Sequence, residues 1–423
     1  MMQIKKLFSI LLIAAAFFLT PLATRAKQPV WGGMVSFNFD DGYRNVYDNG
    51  LPIFKKYGVV ACSFPVVQYI LDQESYAVTW QQLAECQQAG WEIGSHTMTH
   101  PHLTTLTNAQ LDYELKASQS ILAQHGFTAK TLVFPYDDFD ARVLDYTTRY
   151  YGNSRGGEGF NGFDCDRYGL VSREVSATTT PEEAISWIND AVQKKMWLVL
   201  MMHEVVTGQP AEYQYNAADL EKIVAYVANN GIPVLTMQQA LAMRQDSLGH
   251  NLIDNPNLDK LDKSGWAKNW SRNSTTQVSV APPTVARVLS SGNRLKIAGS
   301  SLSNNASTAT IKLPGSKQKQ SYFFSFFAEV DIGSPNAGTE IWLDEFDKDH
   351  NYIGGQWLGG FYTNTFSMPG FLYQPSSPQV DHVMLDIYSL AGGAVNFYGN
   401  NFYFGTIKQN KRSMPCLNLL LSN

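Results

Sequence analysis

Cysteine is scarce in this chain of 423 residues: Cys62, Cys86, Cys165 and Cys416 are the four, and no two are close together. That spacing excludes a zinc ribbon. Export would permit disulfides, but four cysteines admit three full pairings. Cys62 lies in an apolar run and Cys86 in a helical pattern, so buried free thiols fit equally well. Charge is also sparse, at 16% of residues, and shows no basic excess: 32 Lys and Arg stand against 37 Asp and Glu, a net −5. A polyanionic partner such as nucleic acid is thereby excluded. Internal repeats are missing, and beyond the N-terminus no stretch is apolar enough to span a membrane.

What is present is 44% hydrophobic and 13% aromatic. The apolar share suffices for packed cores and argues against a disordered chain. Many aromatics with little charge suit β-rich structure, or surfaces that stack on flat or sugar-like ligands. At about 150 residues per domain, the length implies two or three domains.

Residues 1–26 have the order of an export signal: Lys5 and Lys6, an apolar run from Leu7 to Leu19, Pro21, then small residues up to Ala26. The run is short of the roughly 20 residues a spanning helix needs, although an uncleaved anchor is the alternative. Cleavage after Ala26 would remove three basic and no acidic residues, moving the net charge from −5 to −8. The mature chain is then expected in the periplasm or outside the cell, with no stable membrane span.

From 27 to 248 short apolar runs alternate with helical patterns. The runs are Met34–Phe39, Val59–Val67, Thr131–Pro135, Leu170–Ser172, Trp197–Met202 and Ile232–Leu235. Thr107 with Gln110 forms a capping box ahead of Leu111, Leu115 and Leu122, and Gly126 stops that helix. Thr180-Pro181-Glu182-Glu183 starts a second helix with Ile185, Ile188 and Val192 on one face, and Asn216 caps a third. Such alternation predicts α/β structure: a parallel sheet with crossover helices, a distorted (β/α) barrel. From 249 to 408 short alternating segments dominate: Arg294–Ile297, Tyr322–Val330, Glu340–Phe346, His382–Tyr388 and Asn396–Phe404. They predict an all-β sandwich, with Ser-rich 299–309 as a loop and 409–423 as a tail.

Four patches in the first domain carry chemistry. Phe37-Asn38-Phe39-Asp40-Asp41-Gly42 sets adjacent carboxylates at a strand's end, where the turning chain lets both reach one site. His96 and His100, four apart as on one face of a helical turn, suit chelation of one metal, and Trp91-Glu92-Ile93-Gly94 before them reads as a short strand. In Phe134-Pro135-Tyr136-Asp137 the proline has no N–H, so Tyr136 offers the first backbone donor past the strand, suited to a developing oxyanion. Lastly, the buried run Leu198–Met202 delivers His203 at its C-terminal end. Each patch alone is commonly a turn or a structural histidine.

In this order, from about Val30 to Met243, they resemble the NodB-type polysaccharide deacetylases, carbohydrate esterase family 4. The segment Gly231-Ile232-Pro233-Val234-Leu235-Thr236 resembles the strand closing such domains. The resemblance implies a divalent metal on Asp41, His96 and His100, zinc first, with cobalt or nickel as alternatives. It implies Asp40 as general base, His203 as general acid and the Tyr136 N–H in the oxyanion site. Two neutral imidazoles and one carboxylate would leave positions on the ion for water and a carbonyl. The family's arginine just upstream of Pro-Tyr is missing, since Leu132, Val133 and Phe134 are apolar. Arg173 is expected to supply that charge and orient Asp40, the alternative being a surface arginine. Asp164 or Asp166 is the candidate partner for His203, and His102 reads as a rim residue.

Leu252-Ile253-Asp254-Asn255-Pro256-Asn257-Leu258 and Ser264-Gly265-Trp266 resemble the opening of jelly-roll carbohydrate-binding modules. Trp342, Trp357, Tyr362 and Tyr373 are candidates for stacking on sugar, against a second domain that merely packs. The expected partner is a polysaccharide, and the expected activity is removal of N-acetyl groups from a GlcNAc-containing polymer such as chitin, peptidoglycan or poly-GlcNAc. O-acetyl hydrolysis of the acetyl-xylan type and a non-catalytic glycan-binding adhesin are the alternatives.

Overall fold

The computed structural model describes residues 31–299, 306–314, 320–390 and 392–408. The expected export signal, the 409–423 tail and Cys416 lie outside them. Seven strands build the first domain: β1 (Met34–Asp41), β2 (Cys62–Pro65), β3 (Glu92–Ile93), β4 (Thr131–Val133), β5 (Asn153–Glu158), β6 (Leu170–Glu174) and β7 (Trp197–Met202). They pair in the order β3-β2-β1-β7-β6-β5-β4, every ladder parallel. A parallel bridge between Ser95 and Leu132 joins the two edges, so the sheet curls into a distorted barrel. Residues 231–236 keep a single parallel bridge, Val35 to Val234. Pro233, without an N–H, cannot extend that bridge into a ladder.

The helices start where their caps predict. Thr107 and Gln110 cap each other reciprocally on the helix Asn108–Gln124, and Leu111, Leu115 and Leu122 are buried along it. Thr180 accepts the Glu183 N–H, and Asn216 accepts those of Ala218 and Asp219. The helix Pro181–Lys194 is rotated from expectation: it buries Ala184, Ile188 and Ala191 and leaves Val192 exposed. Two alanines let its backbone come close to the sheet, and side-chain-free Gly33 lies directly against the Val192 backbone.

After the small parallel ribbon β8 (Glu204–Val206) and β9 (Gln214–Asn216), and the last barrel helix Met237–Asp246, the chain becomes antiparallel. One sheet contains β10 (Trp270–Arg272), β13 (Ala306–Lys312), β15 (Thr339–Phe346), β16 (Tyr352–Phe361) and β19 (His382–Ser389), in the order β10-β13-β19-β15-β16. The other contains β11 (Val278–Ala281), β12 (Arg294–Gly299), β14 (Tyr322–Ile332), β17 (Thr365–Ser367), β18 (Gly370–Tyr373) and β20 (Val395–Thr406). Its path is β11-β12-β20-β14-β17, with β18 also on β14. Between them lies a core that includes Ile297, Ile311, Phe326, Leu343, Ile387 and Phe404. Within the expected 299–309 loop, residues 306–309 instead open β13: alternation buries Ala309 and Ile311, and β19 satisfies the backbone.

The sandwich's six-stranded sheet packs on the barrel. Trp31, Phe163 and Phe323 form edge-to-face pairs at 5.4 Å, and Leu248 bridges Ile407. Arg287 bonds Asp145 (2.5 Å) and Thr148 (2.8 Å) on the helix Ala141–Tyr150. Asn255 clamps its own turn through the Lys260 and Lys268 carbonyls, and Trp266 is buried beside Trp270. Among the described residues no helix is long and apolar enough to cross a membrane. Cys62, Cys86 and Cys165 are free thiols.

Candidate active site

All four patches meet at the C-terminal end of the barrel strands, around a cleft of about 480 Å³. Asp40 and Asp41 end β1. Strict alternation would send their side chains to opposite sides, but Asp41 has a left-handed backbone (φ 66°), and both line the cleft. His96 and His100 lie on a loop, not on the expected helical turn. Thr97 (φ 69°) and His100 (φ 62°) are left-handed, and this contortion turns both rings inward. Such non-glycine conformations cost of order 1–3 kcal/mol each and persist only where the surroundings enforce them.

Glu114, buried on the Asn108–Gln124 helix, supplies that enforcement. Its carboxylate accepts the Met98 N–H (2.9 Å), the Thr99 N–H (2.8 Å) and the Thr99 hydroxyl (2.6 Å). His96 Nδ1–H donates to the Val133 carbonyl (2.9 Å), which leaves its Nε2 lone pair facing the cleft. Nε2 of His96 lies 3.1 Å from Nε2 of His100, and Oδ1 of Asp41 lies 3.4 and 3.3 Å from the two. Ligand bonds of about 2.0–2.1 Å in a tetrahedral arrangement set donor atoms about 3.3 Å apart.

Electrostatics suit the same occupant. Burial pushes His96 down to about 3 and His100 below its ordinary range, so both rings are neutral donors at neutral pH. Asp41 is pushed up to about 6 by burial, with Asp40 and Glu204 adding to it and His203 opposing. Its Oδ1 is buried without a hydrogen bond. Two neutral imidazoles and one carboxylate with their donor atoms this close fit a divalent metal.

Asp40 behaves oppositely. Burial alone would raise it, but the Arg155 guanidinium, with His96 and His203, outweighs burial and holds its carboxyl below the usual carboxylate range. Arg155, fully buried on β5, bonds Asp40 Oδ2 through one nitrogen and Ser172 Oγ through another (2.7 Å). The arginine facing Asp40 is therefore Arg155, not Arg173. On β6, Ser172 and Glu174 point inward, one to Arg155 and the other to the cleft, while Arg173 takes the opposite parity. Its guanidinium lies over the Trp187 ring (4.7 Å) and 3.6 Å from Glu158.

His203 follows β7 into the cleft, with Tyr213 edge-on to its ring (5.5 Å). Its Nδ1 is buried and unbonded, so neither Asp164 nor Asp166 partners it. Asp164 is exposed, and Asp166 is occupied at the domain junction by the Tyr168 and Met368 N–H groups (2.8 and 3.1 Å). Left-handed Tyr136 (φ 58°) forms the rim and is 60% exposed. His102 stacks on its ring at 4.0 Å and stays outside the donor triad, as expected of a rim residue. Sequence reasoning missed Arg155 and Glu114, and also the cleft residues Tyr43, Glu174 and Tyr213.

Residues 27–151 match the family model described as polysaccharide deacetylase. Over 115 residues the chain is 33% identical to the "Putative polysaccharide deacetylase YxkH" of Bacillus subtilis (strain 168), covering 27% of this chain and 40% of that protein. Over 123 residues it is 26% identical to the poly-beta-1,6-N-acetyl-D-glucosamine N-deacetylase of Staphylococcus aureus (strain MRSA252), covering 26% of this chain and 41% of that protein. The matches thus span well under half of either relative. Among solved structures, the family 4 carbohydrate esterase from Streptomyces lividans aligns at 22% identity and a TM-score of 0.36, over 48% of this chain and 91% of that one. Residues 27–151, the stretch similar to the polysaccharide deacetylase family model, contribute the paired aspartates, the two histidines and the Pro-Tyr corner to the cleft.

Proposed function

We propose that the protein is an exported, metal-dependent deacetylase that hydrolyses N-acetyl groups on a GlcNAc-containing polysaccharide. One observation carries the reading: neighbouring carboxylates with opposite electrostatics, Asp40 paired to a buried arginine and Asp41 joined to two neutral imidazoles. Asp41, His96 and His100 would hold the metal, for which we propose zinc; when bound, it supplies the Lewis acidity that activates water and polarises an acetyl carbonyl.

The remaining work falls to the chain. Asp40, kept ionised by Arg155, takes a proton from the attacking water. The Tyr136 corner contributes its backbone N–H to the developing oxyanion. His203 protonates the departing nitrogen as the C–N bond breaks, since an unprotonated amine is a poor leaving group. Acetate and a free sugar amine result. The relative named as a poly-GlcNAc N-deacetylase supports an amide over an ester substrate. The sandwich would keep the enzyme on its polymer.

Acetate release from matched N-acetyl and O-acetyl glycans tests this. Faster release from the N-acetyl set is expected. Release from O-acetyl glycans alone would make the protein an esterase, and release from neither would favour an adhesin.

A further inference from the structure

The sandwich's five-stranded sheet turns its outer face away from the barrel, because the contacts to the barrel come from the other sheet. Alternation along β15 buries Ile341, Leu343 and Glu345 and sends Glu340, Trp342 and Asp344 outward. On the neighbouring strands, Trp357 lies opposite Trp342, Gly355 opposite Asp344, and Asp386 opposite Trp342 from the other side. Tyr352, Trp357 and Tyr362 are 62%, 53% and 47% exposed. They are three of the few large apolar side chains that the sandwich leaves in water.

This face is both rigid and acidic. Glu340 accepts hydrogen bonds from Trp342 Nε1 (2.9 Å), Tyr362 OH (2.7 Å) and Tyr388 OH (2.8 Å), so one carboxylate fixes three rings. A Cβ at Gly355 would sit 2.5 Å from Asp344 Oδ1, so glycine there keeps the carboxylate accessible. Asp386 and Asp344 face each other across this surface, and burial together with Asp344 pushes Asp386 up to about 7. The outward positions of β13 are Thr308, Thr310 and Lys312, and Lys312 is at the far end, opposite His382.

We propose that this face binds a glycan bearing free amino groups, the cationic product of the deacetylation inferred above. The inference rests on that reading for the identity of the glycan, and on charge complementarity for its chemistry. Flat rings accept the apolar face of a sugar, and a protonated amine beside them gains from both the ring faces and the carboxylates. A neutral glycan would gain only the first. Product binding here would hold the enzyme on stretches it has already processed.

The test uses the full chain, titrated calorimetrically with a soluble glucosamine oligomer and with a cello-oligosaccharide of equal length. At least tenfold tighter binding of the glucosamine oligomer is expected. Trp357→Ala and the double variant Asp344→Asn with Asp386→Asn should each weaken it at least tenfold. Acetate release from a short soluble substrate should stay within twofold in both, which also shows that they fold. Equal affinity for charged and neutral oligomers, or unchanged binding in both variants, would overturn the proposal. Amine-selective binding lost in the variants, from a protein releasing no acetate, would uphold this site and defeat only the deacetylase reading.

Discussion

Asp40 and Asp41 are identical side chains on adjacent residues, and their neighbours give them opposite electrostatic surroundings. Arg155 claims the first, while two imidazoles face the second. Asp40→Asn should therefore abolish turnover and leave metal content unchanged by elemental analysis. Loss of metal instead would mean that the two roles are reversed. Arg155→Met leaves a buried carboxylate unpaired, which costs about 3–5 kcal/mol. Its Tm should drop and its kcat should fall by about 10² or more, whereas Arg173→Met should change kcat little; the reverse ranking would refute the pairing. Glu114→Gln should lower metal affinity by about 10- to 100-fold, because the carboxylate that holds the contorted histidine loop is weakened. The aspartates, histidines and Pro-Tyr corner were legible in the sequence, since motif order survives without knowledge of side-chain direction. Arg155 was not. Its strand, Asn153–Glu158, carries no apolar run to mark it as a strand. Arg173 stands out in the sequence only because strand parity on β6 is set by packing, and Ser172, not Arg173, faces inward to Arg155.

Helix starts were legible because caps are local chemistry: Thr107 and Asn216 satisfy N–H groups two or three residues away. Which face a helix buries is set by its neighbours, so the Pro181–Lys194 helix turned toward its alanines. The Ser-rich approach to β13 gave no strand signal, because β19 supplies its partners from over 70 residues away. Tyr373, a sugar-stacking candidate by composition, is fully buried and donates to Glu345 (2.8 Å); Trp357 and Tyr362 face water. The β15–β19 carboxylate pair also sets a pH dependence. Asp386 titrates near 7 when folded against an ordinary value of 3.8, so between these values the folded state holds more protons. The pair's contribution to stability should therefore fall as pH rises from about 4 to about 7. Asp386→Asn should flatten that part of the Tm profile relative to wild type; parallel profiles would contradict the shared site.

Barrel and sandwich share apolar surface in which Trp31, Trp197, Phe163 and Phe323 meet. Phe163→Ala should cost about 3–5 kcal/mol and lower a single unfolding transition, because both domains lose packing. Two separate transitions, only one of them shifted, would show domains that fold independently. The same junction means that excising the sandwich would expose apolar surface, so its role is better probed by surface substitutions than by truncation. At this scale the sequence showed two composition regimes, but it did not show how they pack, because the contacting aromatics are scattered over nearly 300 residues. The aromatic excess divides accordingly between a junction, a sandwich core and one exposed face. The most direct measurement of the central claim is acetate release from an N-acetylated glucosamine polymer by the full chain, before and after chelation and again after zinc is restored. Release that stops with chelation, returns with zinc and is absent in Asp40→Asn is the predicted result. Release that persists unchanged in chelator, or in Asp40→Asn, would contradict it.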